Sequence, residues 1–128
     1  QNNRSQLKKT ADNTLIIDAY NANPTSMMAS ISNFRNMQAE NKMLILGDMR
    51  ELGKESADEH QKIADYLEEC GFKDVVLVGE LFAATRHSYQ SYPDVTALIA
   101  ELQEKPCGKT ILIKGSNGIK LSSVVEYL

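Results

Sequence analysis

The stretch Thr14-Leu-Ile-Ile-Asp-Ala-Tyr-Asn-Ala-Asn-Pro-Thr-Ser-Met27 constrains the fold more than any other part of this chain. Leu15, Ile16 and Ile17 make a short β-branched apolar run, the pattern of a buried strand. Soon after, Asn23 can cap a helix, Pro24 suits its first turn, and apolar residues follow at helical spacing. A strand therefore runs through a polar corner, Asp18, Tyr20, Asn21 and Asn23, into a helix. Such a corner turns free backbone N–H groups and the positive end of a helix toward whatever lies above it. Asp18 adds a carboxylate able to accept two hydrogen bonds from a vicinal diol such as a ribose. Capping of the turn by Asp18 and Asn23 is the other use of the same side chains.

The remainder of the chain repeats this alternation. Residues 1–13 are polar and read as a lead-in or junction. Thr14–Asp18 is the first strand, and a helix follows from Pro24 to Ala39 with Met27, Ile31, Phe34 and Met37 or Gln38 on one face. Met43–Leu46 is a second strand, continuing into Gly47-Asp-Met-Arg-Glu-Leu-Gly53. Ser56-Ala-Asp-Glu59 reads as a capping box opening a helix that carries Ile63, Leu67 and Cys70 and closes at Gly71. Val75–Val78 is a third strand, ending in Gly79-Glu80, with a short helix from Leu81 to Arg86. Residues 87–93 have room for a further short strand. Asp94 caps a helix through Leu98, Ile99 and Leu102. Thr110–Ile113 is a fourth strand, running into Lys114-Gly-Ser-Asn-Gly118, and a final helix carries Val124, Val125 and Leu128.

Strands that are apolar throughout and alternate with helices predict an α/β fold, a mostly parallel sheet with helices on both faces. Right-handed crossovers put every strand-to-helix loop on one edge of that sheet. Asp18 to Asn23, Gly47 to Glu51, Gly79-Glu80 and Lys114 to Gly118 all follow strand C-termini, the ligand-binding edge of open α/β sheets. Four polar loops on one edge predict a site there.

At 128 residues with 42% hydrophobic and 24% charged, the chain has the composition of one water-soluble domain with a real core. A formal charge of −3 argues against a nucleic-acid or anionic-membrane surface, so neither is expected as a partner. No apolar run reaches membrane-spanning length, and Gln1-Asn-Asn-Arg-Ser5 does not read as a signal peptide. Cys70 and Cys107 lie far apart without metal-ligand spacing, as expected of reduced thiols in a cytoplasm.

Two motif-like features are discounted. Gly108-Lys-Thr110 resembles the tail of a phosphate-binding P-loop, but Gln103 stands where its first Gly belongs. It also precedes a strand, whereas a P-loop follows one and opens a helix. His60 lies one turn before Ile63 and Ala64, which predicts a partly buried, hydrogen-bonded helix histidine. No catalytic triad, carboxylate pair or metal-ligand cluster stands out. Spacing alone leads to an anion- or nucleotide-binding α/β domain.

Resemblance extends that reading. Asp18-Ala-Tyr-Asn-Ala-Asn-Pro-Thr-Ser-Met27, Leu46-Gly-Asp-Met-Arg-Glu-Leu-Gly53, His60 and Ile113-Lys-Gly-Ser116 resemble, in order and spacing, the C-terminal domain of the Mur ligases. The resemblance is to the branch that joins D-alanyl-D-alanine to UDP-N-acetylmuramoyl-tripeptide, and it covers essentially the whole chain. It implies a Rossmann-like third domain, residues 14–128, with residues 1–13 as the junction to a central domain that is not in this chain. In that family ATP and magnesium convert the tripeptide carboxylate to an acyl phosphate, and the dipeptide amine displaces phosphate through a tetrahedral intermediate. The resemblance places Arg4 near the ATP phosphates, Asp18 at the ribose, and Tyr20, Asn21 and Asn23 along the nucleotide side. It places Asp48, Arg50, Lys114, Ser116 and Asn117 on the dipeptide and acyl-phosphate side. Lys114 or Arg50 would pair with the dipeptide carboxylate, and Asp48 or Glu51 with its ammonium.

The chain departs from the family at Asn3, where many members carry Gly, and at Asn117, where many carry Arg. The family's P-loop and magnesium ligands belong to the central domain. The expectation is a bacterial, cytoplasmic ligase domain that by itself lacks activity and binds ATP weakly at most. A free-standing nucleotide- or anion-binding Rossmann-like module is the alternative. A receiver-type signalling domain fits less well, since the loops lack its acidic set.

Overall fold

The computed structural model describes residues 5–19, 21–102 and 104–128. Its strands are β1 (Gln6–Lys9), β2 (Thr14–Asp18), β3 (Lys42–Gly47), β4 (Val75–Val78), β5 (Gln90–Tyr92) and β6 (Thr110–Lys114). Its helices are α1 (Pro24–Asn36), α2 (Ser56–Glu69), α3 (Glu80–Ala83) and α4 (Val95–Ala100). The strands form one sheet in the order β1-β2-β6-β3-β4-β5. Every pairing is parallel except β1 against β2.

Strand order and handedness together decide which face each helix covers. The connections β2–α1–β3, β3–α2–β4 and β4–α3–β5 all step the same way along the sheet, so right-handed crossovers place α1, α2 and α3 on one face. The connection through α4 steps back to β6, which places α4 on the other. The two cores follow. Met27, Ile31, Phe34, Ile63, Leu67 and Phe82 pack on Leu44, Leu46, Leu77 and Leu112. Leu98, Leu121, Val124 and Leu128 pack on Leu15, Ile45, Val76, Val78, Ile111 and Ile113. Alternate residues of one strand feed opposite cores, so the central strands are apolar throughout.

Local signals hold in α1 and α4. Asn23 accepts from Ser26 N at 2.9 Å while its own N–H reaches Ser26 Oγ at 3.1 Å, a reciprocal cap. Asp94 accepts from Ala97 N at 2.9 Å. Several elements differ from expectation, among them α3, expected over Leu81 to Arg86 and found over Glu80–Ala83. The polar lead-in supplies β1, an exposed antiparallel edge strand whose pattern carries no apolar alternation to reveal it. Helix α1 stops at Asn36, and Met37 leaves the helix as an extended C-cap. Ser56 is not the cap of α2. A 3-10 turn over Gly53–Glu55 feeds straight into the helix, and Glu55 precedes it in helical conformation without a side-chain cap. The final segment, Leu121–Tyr127, winds as a 3-10 helix.

Asn13 ties three separate pieces of chain together. Its amide nitrogen donates to Pro106 O at 2.9 Å and to Leu128 O at 2.7 Å, and its oxygen accepts from Lys109 N at 3.1 Å. Buried polar groups left without partners cost roughly 1–3 kcal/mol each. Asn13→Leu is therefore expected to lower unfolding stability by about 3 kcal/mol in urea, against under about 0.5 kcal/mol for the exposed Lys62→Ala. Equal effects of the two substitutions would remove Asn13 from this role.

Candidate functional site

The strand C-termini of β2, β6 and β3 lie side by side, and the chain leaves them toward opposite faces. After β2 and β3 it climbs to α1 and α2, whereas after β6 it turns to the Leu121–Tyr127 segment on the other face. A crevice opens where connections diverge in this way. Here it is a groove of about 550 Å³ lined by Asn21, Ala22, Arg50, Glu51, Ser116, Asn117 and Gly118. Residues from three expected loops meet in it.

Beneath the groove the ends of β2 and β6 carry opposite charges in register, Asp18 beside Lys114. Lys114 Nζ donates to Asp18 Oδ2 at 2.5 Å and to Asn21 O at 3.4 Å. The side chains are only 2% and 11% exposed. Lys114, expected on the dipeptide side, gives its ammonium here to Asp18 and to the corner that follows β2. Asp18 presents only the edge of its carboxylate. Asn23, expected along the nucleotide side, is occupied in capping α1. Arg4 and Tyr20 lie outside the described residues.

The loop after β3 is held from several sides. Asp48 is 4% exposed, and its carboxylate accepts from Leu81 N at 3.0 Å and Phe82 N at 2.9 Å, at the start of α3. Asp48, expected on the dipeptide side, caps a neighbouring helix, with both its oxygens engaged there. Gly79 makes this possible. It sits at φ +120°, and a Cβ there would fall 2.2–2.4 Å from the Asp48 carboxylate. Sequence spacing put Gly79-Glu80 in the site. Instead that loop supports the loop after β3, which reaches the groove itself.

Asp48 O also accepts from Ser116 N at 3.1 Å, joining the β3 and β6 loops. Their glycines pass closely: a Cβ on Gly115 would meet Gly47 Cα at 3.0 Å. At the end of this junction Ser116 is 8% exposed, and its Oγ has no hydrogen-bond partner among the described residues. A buried hydroxyl bordering a groove with nothing to bond is a ready donor or acceptor for something in that groove. Arg50 is exposed, its guanidinium packed against Gly118 so that a Cβ there would lie 3.1–3.3 Å from it. Glu51 takes a left-handed backbone at φ 66°. Asn21 and Asn117 are exposed at the rim.

His60 is a hydrogen-bonded helix histidine on α2, as expected, but fully rather than partly buried. It lies 4.7 Å from Phe82, ring to ring, in an edge-to-face arrangement. Among the described residues no group of three His, Cys, Asp or Glu could hold a metal ion, and no helix is long and apolar enough to cross a membrane.

The family described as Mur ligase, glutamate ligase domain, matches residues 3–117. The chain belongs to that family. Among curated Mur ligases it is similar to the UDP-N-acetylmuramoyl-tripeptide–D-alanyl-D-alanine ligase of Rickettsia prowazekii, with 34% identity over 97% of this chain and 29% of that protein. The ligase of the same name from Bacillus subtilis is 34% identical over 98% of this chain and 30% of its own length. The chain thus spans under a third of the curated relatives it matches. Among solved structures it superposes on a MurF ligase from Thermotoga maritima in complex with ADP, with a TM-score of 0.81 and 20% identity. That match covers 98% of this chain and 30% of the other, and it speaks to the fold alone. A MurF crystal structure from Acinetobacter baumannii matches with a TM-score of 0.77 and 29% identity, over 97% and 30% of the two chains. The Rossmann-like α/β fold is that of the Mur ligase C-terminal domain.

The dependence of the β3 loop on Asp48 is testable by backbone exchange. Gly79→Ala forces a methyl into the Asp48 carboxylate and a side chain into a left-handed backbone, each a cost of about 1–3 kcal/mol. Amide exchange at Leu81 and Phe82 is expected to accelerate about tenfold or more, with global stability down by about 2–4 kcal/mol. Unchanged exchange at those two amides would contradict the capping role.

Proposed function

We propose that this chain is the third domain of an ATP-dependent ligase that adds D-alanyl-D-alanine to UDP-N-acetylmuramoyl-tripeptide, a step in bacterial peptidoglycan precursor synthesis in the cytoplasm. The observation that carries this reading is the likeness, over nearly the whole chain, to proteins bearing that name. The groove supports it, because its side chains suit a zwitterionic peptide next to a phosphate. Arg50 supplies a planar fork of donors for the dipeptide carboxylate, and Glu51 an acceptor for its ammonium. Ser116, with its unbonded hydroxyl, and Asn117 bond the oxygens of the acyl phosphate or of the dipeptide amide. Asn21 and the exposed edge of Asp18 face the ribose side, with Arg4 and Tyr20 assigned there by sequence alone.

In this reading the domain closes over a nucleotide held by the central domain and helps to hold the incoming amine against the activated carboxylate. Positioning of that kind accelerates a two-reactant step by removing the freedom of the reactants before they meet. The tetrahedral intermediate then collapses with loss of phosphate. ATP with magnesium supplies the activation. Magnesium is assigned to the central domain, so no residue of this chain is given a step through the metal.

The test is phosphate release by the full-length enzyme with ATP, magnesium and UDP-linked tripeptide, with and without D-alanyl-D-alanine. Release should depend on the dipeptide. Arg50→Ala should raise the dipeptide KM by roughly 10- to 100-fold with a smaller effect on kcat, as expected when a charged hydrogen-bond donor to a carboxylate is lost. Release that no peptide acceptor stimulates would leave a binding module and overturn the ligase reading.

A further inference from the structure

We infer that His60 is a positioning residue for the groove, acting through the backbone of the loop that carries Arg50 and Glu51. The functional part of this inference rests on the reading proposed above; the structural part does not.

His60 reaches the loop from another element, α2, and both ring nitrogens are engaged. Nδ1 lies 2.8 Å from Ser56 O, a carbonyl that can only accept, so Nδ1 carries the proton. Nε2 is then a bare lone pair, and it accepts the backbone N–H of Met49 at 3.0 Å. Met49 is itself fully buried. An apolar side chain of similar volume would fill the same place beside Phe82, but it would leave the Met49 N–H buried without a partner.

Met49 is the anchored residue immediately before Arg50, and the loop is next held at Leu52, which packs on the core beneath α1 and α2. Asp48 before Met49 is held through its carboxylate and its carbonyl. Arg50 and Glu51 after it are exposed and border the groove. Glu51 holds φ 66°, a conformation that a residue with a Cβ keeps only where its surroundings over-determine it. The His60–Met49 bond is one of those determinants. Without it the loop keeps its sequence and its charges but samples several placements of Arg50 and Glu51. A ligand must then select one, which weakens binding before it affects chemistry.

Three variants of the full-length enzyme separate this from a merely structural role. His60→Leu keeps bulk and removes the acceptor. In His60→Gln the side-chain oxygen reaches the place of Nε2. In His60→Asn the amide reaches only the place of Nδ1. Dipeptide KM and kcat are measured by phosphate release, and backbone amide exchange is followed across residues 49–51. The expected result is a dipeptide KM raised about tenfold in His60→Leu, the equivalent of one lost hydrogen bond, with kcat within about twofold. Exchange at 49–51 accelerates in parallel, and His60→Gln restores both.

A KM that does not move in His60→Leu, or that His60→Gln fails to restore, overturns the inference. Should His60→Leu fail to fold, the contrast between His60→Asn and His60→Gln decides by the same criteria. A wild-type enzyme whose phosphate release ignores the dipeptide would remove the proposed function. The exchange measurement then decides by itself whether His60 holds the loop: unchanged exchange in His60→Leu or His60→Asn overturns the role, and acceleration reversed in His60→Gln supports it.

Discussion

An ammonium and a carboxylate meet between the ends of two neighbouring parallel strands, where Lys114 Nζ stands 2.5 Å from Asp18 Oδ2 and neither side chain is more than 11% exposed. Charges this far out of water are tolerated only when paired and further hydrogen-bonded, and removing one partner strands the other at a cost of about 3–5 kcal/mol. The second acceptor of Lys114, Asn21 O, belongs to the corner between β2 and α1. One buried cation thus holds both the strand that ends in Asp18 and the turn that starts the groove wall. The pair joins the ends of β2 and β6, already in register along their length, directly beneath the groove.

The same division of labour recurs one strand further on. Asp48 and His60 are buried and polar, and each is spent on backbone N–H groups, of α3 and of Met49 respectively. What remains exposed is Arg50, Glu51, Asn21 and Asn117, with Ser116 buried at the junction and its hydroxyl unpartnered among the described residues. The buried side chains of Asp48, His60 and Lys114 therefore hold backbone groups, and the exposed ones border the groove. The topology explains why they converge here, since the connections after β2 and β6 leave toward opposite faces and their ends cannot be closed over.

Much of this was legible in the sequence. Strand–helix alternation predicted the sheet and its two covered faces, and Asn23 and Asp94 marked two helix starts correctly, because those signals are local. Edge strand β1 was hidden because an exposed strand paired on one side needs no apolar pattern. Ser56 misled because a capping box needs an extended residue before the helix, and the preceding 3-10 turn removes it. Of the candidate site, the sequence located the loops but not which side chains they present. Lys114 and Asp48 looked like ligands because both are charged and follow strands, and only their burial reveals that their partners are internal. A signal for the first pair was present: Thr14-Leu-Ile-Ile-Asp18 and Thr110-Ile-Leu-Ile-Lys114 are strands of equal length with opposite charges at matching ends.

The groove over β2, β6 and β3 is the proposed place of ligand contact on this domain. The most direct measurement is amide chemical-shift mapping of the isotope-labelled chain, titrated to millimolar concentration with D-alanyl-D-alanine and separately with ATP and magnesium. Fast-exchange shifts are expected to cluster on Asn21–Asn23, Arg50–Glu51 and Ser116–Gly118, while residues of α2 and β5 stay still. Shifts centred instead on the separate hollow beside Lys54, Asp58 and Arg86 would contradict that placement.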